Sequence, residues 1–217
     1  MRDKYLSELM SLDEKLIFMA NNVEKSIDLA MKALFNRDLQ KAALVIDGDD
    51  QIDNLMKEIE EECVRLIAKE QPLASDLRFI YTVIKVSTDL ERIGDHVVNI
   101  AEIVIKLADS VPLKSYIDLP LMAHIATEMV HSSIKSLIQR NQKLAKENCL
   151  RDNQVDGLNQ KIRIDIVNTL KQSDNSDDID KGINLVLLAT NLERIADHAT
   201  NIGERVMYLV SGQNIKY

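Results

Sequence analysis

Four acid-x-x-x-Asp pairs stand at matching places in this chain: Asp49 with Asp53, Glu91 with Asp95, Asp152 with Asp156, and Glu193 with Asp197. On a helix that spacing puts both carboxylates on one face, a turn apart. Placed at ~100° per residue, Glu91, Asp95 and Glu102 fall within roughly 40° of one another, with Asn99 close by. Two acids so placed repel each other, and the repulsion lowers helix stability unless a cation or a neighbouring Lys or Arg offsets it. If two such helices face each other, four carboxylates converge. They must then either hold protons well above the usual carboxylate range or bind a cation. An all-oxygen donor set favours hard or borderline ions such as Mg²⁺, Mn²⁺, Ca²⁺ or iron over a structural Zn²⁺.

A single acid pair on a helix is most often a solvated face, and Arg92 and Arg194 stand ready to neutralise part of this charge. What sets these pairs apart is that they are duplicated. The stretch from Thr88 to Glu102 returns from Thr190 to Glu204, with ten of fifteen residues identical. Asp49-Asp50-Gln51-Ile52-Asp53 likewise returns as Asp152-Asn153-Gln154-Val155-Asp156. Self-similarity at a fixed period marks one supersecondary unit that has been copied. The separation is 103 residues for the first pair of motifs and 102 for the second. One residue was therefore lost between them, in the loop after the fifth helix, where such changes are best tolerated.

The elements that must carry these motifs are helices. The apolar positions Phe79, Val83, Val86, Leu90, Ile93, Val97, Ala101 and Val104 keep a period near 3.6, and no alternating strand pattern competes. Three prolines punctuate the pattern: Pro72 between two long helical stretches, Pro112 and Pro120 between the two copies. The pattern predicts six helices at about 4–36, 39–70, 73–109, 117–145, 149–172 and 178–210. Such long helices point to an all-α fold of two tandem, homologous, antiparallel three-helix bundles, spanning 1–112 and 113–217.

Composition agrees and narrows the function. Of 217 residues, 46% are hydrophobic and 29% charged, with six Gly, three Pro, three Phe, five Tyr and no Trp, too few turn residues for a β protein. The net charge is −8 and Lys and Arg are dispersed among acids, which argues against nucleic acid as a partner. No apolar run reaches the ~18 residues of a membrane span, and the charged start, Met1-Arg2-Asp3-Lys4-Tyr5, is unlike a signal peptide. The expectation is a soluble cytoplasmic protein without membrane insertion. Cys63 and Cys149 both sit in helical patterns without a CxxC and read as buried thiols in a reducing compartment.

Other chemistry is hard to find. His96 lies roughly 140° from Glu91 on the helical wheel, so neither it nor its copy His198 joins the acids as a ligand. Glu128 and His131 form the Glu-x-x-His pair used by di-iron bundles, but their counterparts in the first copy are Lys25 and Asp28, so the pair reads as a helix surface. No Gly-rich phosphate loop is present, and no nucleophile stands beside an activating base, so no residue is assigned as catalytic.

The segment Gln71-Pro72-Leu73-Ala74-Ser75-Asp76-Leu77-Arg78, followed by Leu90-Glu91-Arg92-Ile93-Gly94-Asp95-His96, resembles the signature of the PhoU family, and Leu192-Glu193-Arg194-Ile195-Ala196-Asp197-His198 resembles its second copy. The resemblance runs essentially the full length. It implies two tandem three-helix bundles, commonly as a homodimer, in a cytoplasmic negative regulator of the phosphate-starvation response. Such proteins link the ATPase subunit of the high-affinity phosphate ABC transporter to a sensor histidine kinase. It further implies metal, among Fe, Mn, Mg, Ca or Zn, at Asp49, Asp53, Glu91, Asp95, Asp152, Asp156, Glu193 and Asp197, with Asn99 and Asn201 as accessory oxygen donors. One departure stands out: the Gln71–Arg78 segment has no counterpart in the second copy, where Ser173-Asp174-Asn175-Ser176-Asp177-Asp178 stands instead. That segment reads either as a partner contact unique to the first copy or as a plain helix start.

Two rival functions remain beside the adaptor. One is a carboxylate-metal enzyme or metal store, which needs an open coordination position and a sheltered pocket. The other is an accessory protein of a different phosphate transporter.

Overall fold

Leucine, isoleucine and valine at helical spacing form four helices longer than 30 residues, and these build the molecule. The structure, a computed structural model, describes residues 2–108, 118–173, 175–213 and 216. The first bundle consists of α1 (Arg2–Asn36), α2 (Leu39–Glu70) and α3 (Ala74–Lys106). The second consists of α4 (Asp118–Gln139), the consecutive α5 (Gln142–Cys149) and α6 (Asp152–Leu170), and α7 (Ser176–Ser211). Here α4 is the first rod of that bundle, α5 with α6 the second and α7 the third. No strand occurs among the described residues. The expected division at 112/113, like Pro112 and the expected helix ends at 109 and 117, lies outside the described residues.

Each bundle closes around a largely apolar interior. Leu12, Leu16, Met19 and Ile27 of α1 meet Ile59 and Leu66 of α2 and Ile93 and Ile100 of α3, all essentially without exposure. Each such side chain contributes about 1.5–3 kcal/mol on leaving water. The expected stripe on α3 is buried from Val83 to Val104, while Phe79 is half-buried under the Arg140 guanidinium, 5.3 Å from its ring centre. Cys63 and Cys149 are buried and free, and burial pushes both thiols up to about 12. The two bundles meet mainly along α3 and α7, with a smaller contact between α1 and α4.

The helix boundaries of the second copy differ from the expected 117–145 and 149–172. α4 ends at Gln139, because Arg140 turns left-handed (φ 51) and the Asn141 side chain accepts a hydrogen bond from the Leu144 N–H at 3.0 Å to start α5. This repeats the break in the first copy, where Arg37 (φ 55) precedes Asp38 and its cap on the Lys41 N–H at 3.1 Å. Both are N-caps of the ordinary kind. Beyond it, a tight turn at Leu150 and Arg151, with the Arg151 N–H on Asn148 O at 3.0 Å, separates α5 from α6. The fifth rod of the six is thus interrupted where α2 runs unbroken.

Candidate metal centres and the seam between the bundles

The packing of α2 on α3 brings Asp49, Asp53 and Asp95 together, each offering an oxygen within 4.8 Å of the others. The packing of α6 on α7 does the same for Asp152, Asp156 and Asp197. Such separations match oxygens sharing one or two cations, whose bonds run ~2.0–2.6 Å. The two clusters are equivalent under the duplication, so the fold repeats the site with the chain.

Their electrostatics are those of crowded, half-sheltered acids. Burial, then the charges of Asp53 and Asp95, push the Asp49 carboxyl up to about 6. Burial, then Asp197 and Asp156, push Asp152 up to about 6 as well. Asp197 is also raised, by burial first, although Arg194 opposes this. The arginines answer in part: Arg92 reaches Asp95 at 2.8 Å and Arg194 reaches Asp197 at 3.0 Å. Both arginines are more than half exposed, so these pairs are weak. Asp53 Oδ1 is shielded from solvent and accepts no hydrogen bond; Asp152 Oδ1 is shielded too, with the Thr200 side chain beside its carboxyl but no well-formed hydrogen bond. Buried oxygens in that state normally have a partner. A cation would supply one, and the residues present fit that role.

Glu91 and Glu193 sit at the margin. They lie outside the two three-oxygen groups, yet Glu91 is held above the usual carboxylate range by burial first and then by Asp95, and Glu193 adds to the raising of Asp152. Glu91 Oε2 is shielded, with only Arg92 Nε at 3.4 Å and no hydrogen bond. Behind the first cluster lies Gly94, where a Cβ would stand 3.1 Å from Asp49 Oδ1.

His96 and His198, left out of the acid sites on wheel geometry, have another place. They stack on each other across the α3–α7 seam, ring centres 5.8 Å apart. Asn191 Nδ2 donates to Leu187 O at 2.9 Å, so its Oδ1 is free to accept from His96 Nδ1 at 2.9 Å and Asn99 Nδ2 at 3.3 Å. On the duplicated side Asp89 Oδ1 accepts from His198 Nδ1 at 2.9 Å and Asn201 Nδ2 at 3.2 Å. Asn99 and Asn201 are therefore seam residues. Burial holds His96 below its ordinary pKa, and the His198 ring adds to that. The sequence signal was in plain view, because all six residues belong to the repeated stretch. Only the folded chain shows that the copies face each other.

The duplication found in the residues is also found by comparison. Two stretches, residues 16–104 and 119–206, match the PhoU domain. The chain belongs to the PhoU family. Among PhoU relatives, the phosphate-specific transport system accessory protein PhoU homolog of Aquifex aeolicus is 40% identical over 214 residues, covering 99% of this chain and 96% of that one. The homolog of the same name from Clostridium acetobutylicum is 35% identical over 215 residues, covering 99% and 97%. The crystal structure of PhoU from Pseudomonas aeruginosa superposes with a TM-score of 0.92 at 33% identity, covering 96% of this chain and all of that one. That of the phosphate transport system regulatory protein PhoU from Streptococcus pneumoniae gives 0.89 at 28%, covering 98% of this chain and all of that one. Membership makes this chain an accessory protein of phosphate transport with a helical PhoU fold. Among the described residues no helix is long and apolar enough to cross a membrane.

Proposed function

We propose that the chain is a non-enzymatic, cytoplasmic regulator that restrains high-affinity phosphate uptake and the phosphate-starvation response. It acts as an adaptor between the ATPase subunit of the phosphate ABC transporter and a sensor histidine kinase, as a homodimer whose acidic clusters hold divalent or iron ions. The observation that carries this reading is the pair of equivalent three-aspartate clusters, with shielded oxygens that lack a well-formed hydrogen bond, on a PhoU scaffold. Three oxygens are an incomplete shell for the ions concerned, which take six or more ligands. Water or a partner's oxygens would complete it, with Glu91 and Glu193 at the margin of the clusters. The chain would then bias a partner's conformational equilibrium by binding one state better than another.

The test is a pull-down of the purified ATPase subunit and kinase by wild type, Glu91→Ala/Asp95→Ala and Glu193→Ala/Asp197→Ala, with bound metal quantified in the same preparations. Metal and partner binding should fall together while helicity persists. Partner binding that survives complete metal loss removes the clusters from the working surface. Wild type that binds neither partner removes the adaptor reading.

A further inference from the structure

We infer that the start of α3 and the end of α7 form a docking groove for an acidic, amphipathic segment of a partner protein. The inference deepens the adaptor reading and rests on it. The groove has a volume of about 390 Å³ and lies where Ile67, Leu77, Tyr81 and Ile84 of the first bundle meet Tyr208 of α7. Tyr81 and Tyr208 set its wall edge to face, ring centres 6.1 Å apart. Beside it the chain displays large apolar side chains to water: Leu73 is 80% exposed, Leu77 and Tyr81 each 42%. Contiguous exposed apolar surface with a polar rim marks an interaction site more often than a free surface.

The backbone holds this display in place at a cost. Gln71 is left-handed (φ 49) and closes α2 with its N–H on Ile67 O at 3.1 Å. Leu73 is extended, and Ala74, the first residue of α3, is left-handed again (φ 48). A non-glycine residue in that region is strained, because its Cβ crowds the following carbonyl oxygen. Strain of this kind concentrates at functional sites. Here the two strained residues flank the outward-facing Leu73.

Charge settles the kind of partner. Arg78 lines the groove and Lys85 lies over the Tyr81 ring, 5.9 Å from its centre. Among the described residues neither has a carboxylate at ion-pair distance, although the chain carries 35 acids against 27 Lys and Arg. Two cations with no carboxylate partner among the described residues, rimming an apolar groove, complement an apolar anchor flanked by Asp or Glu, the helix-in-groove mode of recognition. The second copy keeps exposed apolar side chains but not the charge: Leu77, Arg78, Tyr81 and Lys85 correspond to Ile179, Asp180, Ile183 and Leu187, which removes both cations and adds an acid. The groove therefore gives a duplicated protein a single, unduplicated point of attachment. This also explains why the Gln71–Arg78 segment has no copy.

The test measures binding of the purified transporter ATPase subunit and of the kinase's cytoplasmic part to the full-length chain by biolayer interferometry across a salt series. Arg78→Glu/Lys85→Glu should weaken at least one of them about tenfold or more and flatten its salt dependence. Leu77→Ala/Tyr81→Ala should weaken the same partner, and Lys85→Glu alone, on an exposed side chain, should act in the same direction without disturbing the fold. Asp180→Ala/Ile183→Ala in the second copy should stay within twofold of wild type. If wild type binds but the groove variants bind equally well, or the second-copy variant weakens binding as much, the groove is not the docking site. If wild type binds neither protein, the adaptor reading falls and the groove loses its role with it.

Discussion

Asp49 lies in the middle of an unbroken 32-residue helix, whereas its counterpart Asp152 opens one. The first cluster is half-buried at all three aspartates, and in the second Asp156 is exposed. The first is backed by Gly94, whereas the equivalent residue in the second copy is the buried Ala196. Asp152 also stands in the first turn of α6, where the helix dipole favours negative charge, a benefit Asp49 lacks. Yet both carboxyls rise to about 6, because in each case burial and two neighbouring aspartates dominate. The comparison teaches that duplication kept the donors and the crowding while the surrounding shelter drifted. A first site with tighter, slower-exchanging metal and a second with looser, faster-exchanging metal is the expected result.

The largest test removes one site at a time. Asp49→Ala/Asp53→Ala/Asp95→Ala should abolish the slow-exchanging fraction, and Asp152→Ala/Asp156→Ala/Asp197→Ala the fast one, each lowering total metal by about half. Single Asp→Asn changes should weaken their own site by at least ~10–100-fold, the loss that even outer-shell partners of a metal ligand carry. Metal analysis after timed chelation reads both, and equal exchange rates at the two sites would overturn the comparison.

The next contrast concerns helix approach. A Cβ on Gly203 would stand 2.7 Å from Cys149 Sγ and 3.3 Å from the Ala145 carbonyl oxygen, while the equivalent Ala101 in the first copy already carries one. Gly203→Ala should therefore destabilise by about 1–3 kcal/mol, the usual range for overpacking. Ala101→Gly should cost only about 1 kcal/mol through helix propensity. Urea denaturation gives both.

A smaller effect is shared by the two sites. A carboxyl whose folded pKa of about 6 exceeds its unfolded value of 3.8 binds its proton more tightly in the folded chain. For the metal-free protein, Asp49 and Asp152 contribute stability that is present below pH 4 and lost as pH rises through 6. Asp49→Asn should accordingly stabilise the metal-free chain at pH 7 and change it little below about pH 4. Metal loading should run the opposite way, strengthening between pH 5 and 7 as the proton is displaced. The smallest expected change is Gly94→Ala, which asks Asp49 Oδ1 to move a few tenths of an ångström. It should weaken the first site a few-fold toward the second without loss of fold.

The clusters were legible in the sequence because i, i+4 acids on a periodic helix fix their own face, and the copy supplied a second instance. Their membership was less so. Glu91 and Asp95 share a face, but how far each reaches toward α2 depends on interhelix packing, which favoured Asp95. The break at Arg140 could have been read by carrying Arg37 and Asp38 across the duplication, since Asn141 caps as Asp38 does. The turn at Leu150 and Arg151 has no such template, because the matching stretch of α2 is continuous. The stacked histidines required a tertiary fact that no periodicity carries, namely that α3 and α7 lie side by side.

That seam has a consequence for how the chain is made. Asp89 must wait for His198, 109 residues further along, before its buried carboxylate is fully partnered. At ~5–20 residues per second of synthesis the wait is on the order of 5–20 s. For that interval the first bundle presents its unmatched flank to the crowded space at the ribosome. A flank centred on Asp89, His96 and Asn99 is readily hydrated, so the nascent half-protein can stay soluble until its own second half arrives to cover it.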